Sequence, residues 1–434
     1  SINMNTTVIY LFYAFLAILI LSFAAERILD WLNIRNWPKV LPDLIRDIFP
    51  EEKFMEVRQY QLVNYKIGFI EATITSIITI GFLYFGGFAW LDGVARSFSS
   101  NLIVQSLIFF GIIAVATFII RLPFDIYDTF VIESRFGFNT TTPRIYITDQ
   151  LKSALLTILI GVPLFSLIVF LYQKTGEYFW VLVWLVISIF ALFMSLFYSS
   201  LIVPLFNKQI PIPEGELRTT IEEFAHKAGF KVKDIYVIDS SKRSSKANAY
   251  FTGLGPEKRI VLYDTLIKDF SIDEILAVLA HEIGHYKHHH TTIGLITSIV
   301  QTGLILFVFS LFVKPGSELT EVLCNAAAGA RQVTPSFYMG LIGFTLLFSP
   351  ISAIIGLIFN SISRRHEFQA DAYVAEHQMQ GYLQSALKKL SVNHLSNPFP
   401  HPLYVKVYYS HPPLIERLKA LENTSRREPQ GNGF

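Results

Sequence analysis

The sequence predicts an all-α membrane protein of seven transmembrane helices joined to a small α+β domain, and three observations carry that prediction. Of 434 residues, 52% are hydrophobic and only 16% are charged, against roughly 25% charged in soluble domains. Seven windows, 8–25, 67–90, 102–120, 154–172, 179–203, 291–313 and 337–359, are apolar over the length that a bilayer requires, about 17–25 residues. The charge lies between those windows, chiefly in 204–290 and 360–434.

The first window reads as an uncleaved span, because residues 1–7 carry no positive charge and the apolar run outlasts a signal core. Ser1–Asn3 precede Met4 and read either as a cloning scar or as chain. All Lys and Arg fall outside the windows. Segments 26–66, 121–153, 204–290 and 360–434 hold 32 of the 36, and the opposite side holds four. The positive-inside rule then puts the N-terminus outside and the C-terminus in the cytosol. The domains expected are 1–203 with five spans, 204–290 and 360–425 as two parts of one globular unit, 291–359 with two spans, and a disordered tail, 426–434.

Within the globular part, 214–230 reads as a helix ending at Gly229, and 231–239, 247–253 and 258–264 as short strands. Ser271 and Glu274 form a capping box that opens a helix over 271–290, running on toward span six. Residues 360–378 continue span seven, and 411–422 form a last helix. The net charge of +2, with no basic run longer than a pair, argues against nucleic-acid binding. Cys324 is the only cysteine, so no intramolecular disulfide or thiolate cluster forms, and it reads as a free thiol.

Any metal site must then use His and carboxylates. HEIGH (281–285) puts His281 and His285 one turn apart on one helix face, where both imidazoles reach one Zn²⁺. Glu282 beside them suits a general base that takes a proton from metal-activated water. RRHEFQAD (364–371) offers a third ligand. Adjacent helical residues point about 100° apart, so only one of His366 and Glu367 can face the metal. Glu367 shares its face with Asp371, which suits a carboxylate that orients a ligand histidine. The alternatives are core histidines for the first motif and a solvated charged face for the second. Both motifs leave the membrane at similar heights, roughly 9 and 12 Å from the nearest span ends at 1.5 Å per residue. His288, His289 and His290 read as interfacial decoration, since consecutive residues point around a helix.

These motifs, together with RQYQLVNYKIGF (58–69), PFDIYDTFVIESRFGFN (123–139), TPRIYITDQLK (142–152), SKRSSKANAYFTG (241–253) and SHPPLIERL (410–418), resemble the type I CAAX prenyl proteases, membrane zinc endopeptidases. The resemblance covers nearly the whole chain. It implies one Zn²⁺ held by His281, His285 and Glu367, with Glu282 as base, and Asn248, His411 and Arg417 lining the cleft. His411 then suits an oxyanion donor, and the strand carrying Asn248 and Tyr250 suits pairing with an extended substrate. It further implies a gluzincin-like domain capping seven helices around a water-filled intramembrane chamber. Glu71, Thr73, Thr75, Ser76 and Thr79 in span two fit a cavity wall or helix–helix hydrogen bonds. The implied partners are the bilayer and a peptide or protein substrate, isoprenylated if the family's substrate carries over. The tail shows no retrieval signal, so endoplasmic reticulum and bacterial inner membrane both fit. A quality-control protease is the alternative among enzymes. A receptor or transporter with a structural metal is the alternative outside them, and Glu282 argues against it because a structural site needs no base.

Overall fold

The computed structural model describes residues 4–229, 234–252, 254 and 259–427. Parts of the three expected strands, and most of the tail expected over 426–434, lie outside those residues. The first half of the chain forms α1 (Met4–Arg35), α2 (Asp43–Arg46), α3 (Glu51–Tyr84), α4 (Gly87–Phe98) and α5 (Leu102–Tyr127). Asn101 starts α5 by accepting a hydrogen bond from the Ile103 amide at 2.9 Å, the usual remedy for orphan N–H groups at a helix start. A π-helical turn, Asp128–Glu133, extends it. α6 (Pro143–Leu156) and α7 (Val162–Thr175) are joined by a second π turn. α8 (Phe179–Phe197) and α9 (Val203–Phe206) are joined by a third.

The domain beyond contains β1 (Gln209–Pro211), α10 (Glu216–Lys227), β2 (Asp234–Ile238), β3 (Ala249–Thr252), β4 (Arg259–Tyr263) and α11 (Asp264–Asp269). It continues with α12 (Ile272–Lys287). Then come α13 (His290–Phe312), α14 (Glu318–Ala327), α15 (Phe337–Glu376), α16 (Gln380–Asn393), α17 (Pro402–Tyr408) and α18 (Leu414–Arg427). The sheet order is β1-β2-β4-β3, with β2 and β4 parallel and the outer pairs antiparallel. Ile235, Ile260 and Leu262 from the sheet are buried against Ile275 and Leu279 of α12. Each such aliphatic side chain contributes roughly 1.5–3 kcal/mol, which fixes α12 on the sheet.

Among the described residues, six helical runs are long and apolar enough to cross a membrane. One of them, Pro143–Phe206, reverses at Gly176 (φ 57°), so that α7 and α8 pack on each other and supply two crossings. The seven crossings form a closed ring: α1 packs on α3, then α3 on α5, α5 on α7, α7 on α8, α8 on α13, α13 on α15, and α15 back on α1. A polar cavity of about 520 Å³ lies between α1, α3 and α5, lined by Glu26, Arg27, Asp30, Glu71, Thr75, Ser76 and Arg121. Thr73 and Thr79 instead bond back to the carbonyls of Phe69 and Thr75 on their own helix. The cavity-wall reading therefore holds for Glu71, Thr75 and Ser76, while the bonds of Thr73 and Thr79 stay within α3 and do not link helices.

The main apolar core sits at the ring end remote from the α+β domain. There Phe15, Leu83, Leu91, Phe109, Leu323 and Tyr338 close the barrel. Two helices form that closure, and both correct the sequence reading. The window 67–90 is not one span: α3 stops at Tyr84, Gly86 takes φ 76°, and α4 departs as a separate amphipathic helix. The left-handed backbone at Gly86 favours glycine, since a side chain there would be strained. α14 is the second, in a segment with no expected helix. It buries Leu323, Cys324 and Ala326–Ala328 against α1 and α15. Cys324 is a free thiol, as expected, and fully buried.

Candidate active site

The capping box at Ser271 forms as expected: Ser271 Oγ accepts from the Glu274 amide, and Glu274 Oε2 accepts from the Ser271 amide. Lys389 and Ser385 of α16 also donate to Glu274. Burial opposes the Glu274 charge, but these donors outweigh it and hold its pKa below the ordinary 4.5. α12 is thus fixed at its start and presents His281, Glu282 and His285 on its last turns. α15 meets it closely. A β-carbon at Gly284 would lie 3.1 Å from the Ala370 carbonyl oxygen and from Tyr373 Cβ, so the glycine of HEIGH sets the helix separation.

That approach brings His281, His285 and Glu367 together, with one potential ligand atom from each within 4.8 Å of the others. The two Nε2 atoms are 3.1 Å apart. Glu367 Oε1 lies 3.0 Å from His285 Nε2, and Oε2 lies 3.3 Å from His281 Nε2. Oε2 is buried and, despite that approach, has no hydrogen bond. Three lone-pair donors converging on one point, one of them an orphaned buried carboxylate oxygen, fit a divalent cation better than one another.

The surrounding residues order this group. His281 Nδ1 is 2.9 Å from Asp371 Oδ1. Burial pushes the His281 pKa down, but Asp371 and Glu367 outweigh it and carry the free imidazole up to about 9. Arg417 donates to Asp371 twice, Nη2 at 2.6 Å and Nε at 2.9 Å. Burial disfavours its charge, and the carboxylates of Asp371 and Glu367 raise its pKa nonetheless. Arg417, expected to line the cleft, lies against the buried side of the group: its side chain is 10% exposed, it pairs with Asp371, and its Nη1 lies 3.5 Å from Glu367 Oε2.

His411 keeps a place at the open side, 66% exposed, with Nε2 3.4 Å from Glu367 Oε1. Ser410 Oγ lies 2.9 Å from its Nδ1. Glu282 is half-buried next to His281 on α12. Asn248 is exposed just before β3, an edge strand that packs on α12. The Tyr250 hydroxyl instead meets Ser199 Oγ at 3.1 Å, on the π turn after α8.

Sequence reading missed two participants. The helix expected to run through 271–290 breaks, because His289 adopts φ 57° and α13 starts afresh at His290. His290 is buried, not interfacial, and its Nδ1 lies 2.9 Å from His285 Nδ1. Gln369 Oε1 receives its other nitrogen at 2.8 Å. The spacing of His290 from His285, five residues, gave no signal, since a continuous helix would point them about 140° apart.

Comparison with known proteins agrees with this architecture. Residues 30–208 match the family model described as CAAX prenyl protease N-terminal, five membrane helices, and residues 211–425 match peptidase family M48. The CAAX prenyl protease 1 homolog of Arabidopsis thaliana is 36% identical over 395 residues, 89% of this chain and 91% of its own. CAAX prenyl protease 1 of Saccharomyces cerevisiae is 34% identical, covering 92% of this chain and 93% of its own. The crystal structure of S. mikatae Ste24p superposes with a TM-score of 0.86 at 32% identity, over 97% of this chain and 99% of that one. With a metal-competent His₂Glu group at the end of a seven-helix ring and these matches along nearly its full length, the chain belongs to peptidase family M48, as a membrane metalloendopeptidase similar to the CAAX prenyl protease 1 homologues.

Proposed function

We propose that this chain is a zinc endopeptidase that trims the C-terminal CAAX segment of isoprenylated proteins, with its catalytic end in the cytosol. The convergence of His281, His285 and Glu367 carries the metal reading, and the relatives' names carry the substrate class. Zinc held by those three residues would supply Lewis acidity at the scissile carbonyl and a lowered pKa for water. Glu282 takes the proton from the attacking water and hands it to the leaving amine. His411, exposed beside Glu367, donates to the oxygen that gains charge. Asp371 accepts a hydrogen bond from His281 Nδ1–H and leaves Nε2 free to ligate, while Arg417 keeps Asp371 charged. The outer edge of β3, with Asn248 and Tyr250, pairs with an extended substrate, and water enters from the polar intramembrane cavity.

The test is cleavage by the purified, reconstituted protein, mapped by mass spectrometry on prenylated and unprenylated peptides. Chelator-sensitive hydrolysis selective for the prenylated peptide is expected. Equal cleavage of both would favour a quality-control role. Glu282→Gln should keep stoichiometric zinc and lose about 10²–10⁴-fold in turnover. Near-normal turnover in that variant would remove the base from the scheme.

A further inference from the structure

His290 belongs to none of the roles above, yet four contacts hold its ring. Nδ1 faces His285 Nδ1 at 2.9 Å, Nε2 faces Gln369 Oε1 at 2.8 Å, and the ring stacks on His366 with centroids 3.9 Å apart and 6° between planes. His288 stacks at 5.4 Å and 17°. The chain adopts a left-handed residue without glycine to achieve this. His289 at φ 57° carries a β-carbon into a region that disfavours it by roughly 1–2 kcal/mol. Only that break turns His290 back onto His285. A backbone outlier retained against its cost, beside a candidate metal ligand, is a reason to look for function.

We infer that His290 and Gln369 form a positioning relay that fixes the tautomer and ring plane of His285. The inference rests on the reading that His285 ligates through Nε2. The protons then follow without choice. A neutral His285 ligating through Nε2 carries its hydrogen on Nδ1, so His290 Nδ1 must accept. His290 therefore carries its hydrogen on Nε2 and donates it to the Gln369 carbonyl oxygen. Flipping the Gln369 amide would put an N–H on His290 Nδ1, and two N–H groups would collide at 2.9 Å. The two ligand imidazoles are thus held by different means, His281 by a carboxylate and His285 by a neutral ring.

His290→Phe keeps a stackable ring but cannot accept, whereas His290→Asn places an amide oxygen close to the position of Nδ1. Zinc affinity by chelator competition and the visible spectrum of the Co²⁺-substituted protein are read on detergent-purified, monodisperse samples. His290→Phe should weaken zinc about 10–100-fold, the usual loss on removing an outer partner, and alter the cobalt spectrum. His290→Asn should restore both. Unchanged affinity and spectrum in His290→Phe would overturn the relay, as would equal losses in both variants, which would mark a packing role. Gln369→Leu serves if His290→Phe does not fold: weakened zinc supports the relay and unchanged zinc rejects it. His285→Ala separates the underlying reading, because full zinc retention there would remove His285 as a ligand whatever His290 does.

Discussion

Glu367 and His366 are adjacent on α15 and face different partners: Glu367 meets His281 and His285, the proposed ligand histidines, while His366 stacks on His290. Glu367→Ala should strip zinc or weaken it severely, since it removes one of three proposed ligands. His366→Ala should keep metal and most activity, losing only a ring stack. Metal content after gel filtration decides between them, and the reverse pattern would reassign the third ligand. The choice of Glu367 was legible because a helix separates neighbours by about 100° and Asp371 falls one turn further on the same face. The burial of Arg417 was not legible. Its pairing with Asp371 spans 46 residues and is made by the docking of α18 against α15, a contact that no local periodicity encodes.

At the scale of elements, α12 was the most readable, because S-x-x-E is a local signal with a local remedy for orphan amides. Its end was not. Three consecutive histidines contain no glycine or proline, the residues that ordinarily mark a break, yet His289 breaks the helix. α4 and α14 were missed for a related reason. Their apolar residues serve a core made by other helices at one ring end, and each stretch alone reads as the tail of a span or as a loop. The start of α12 carries its own prediction. The folded pKa of Glu274 is depressed, so its stabilisation is complete above the unfolded value near 4.5 and fades as pH falls through the lower folded value. Glu274→Gln should therefore cost about 1–2 kcal/mol near neutral pH, and the gap in thermal midpoint should close on acidification. A gap that stays constant with pH would show that the charge contributes nothing.

For the molecule as a whole, hydropathy made the span count legible, while the closing of the ring by α15 on α1 was not, since these helices are about 300 residues apart in sequence and meet only through tertiary packing. The proposed orientation is open to a direct check. In a Cys324→Ala background, an impermeant thiol reagent on intact cells should label Glu318→Cys, between spans six and seven, and spare Asn423→Cys. The opposite pattern would invert the topology. α15 has one more consequence, and it is mechanical. At its far end Tyr338 donates to Asp92 and packs into the closing core, and about 44 Å along the same helix, at 1.5 Å per residue, stands Glu367. α15 is a lever pivoted in the closing core and working at the opposite end of the ring. A tilt of one degree about that pivot swings the carboxylate by roughly 0.8 Å on this geometry, more than the roughly 0.5 Å tolerance of a catalytic constellation. The helices packed along α15, namely α1, α12, α13 and α14, set its tilt and so become a calibration of the active site.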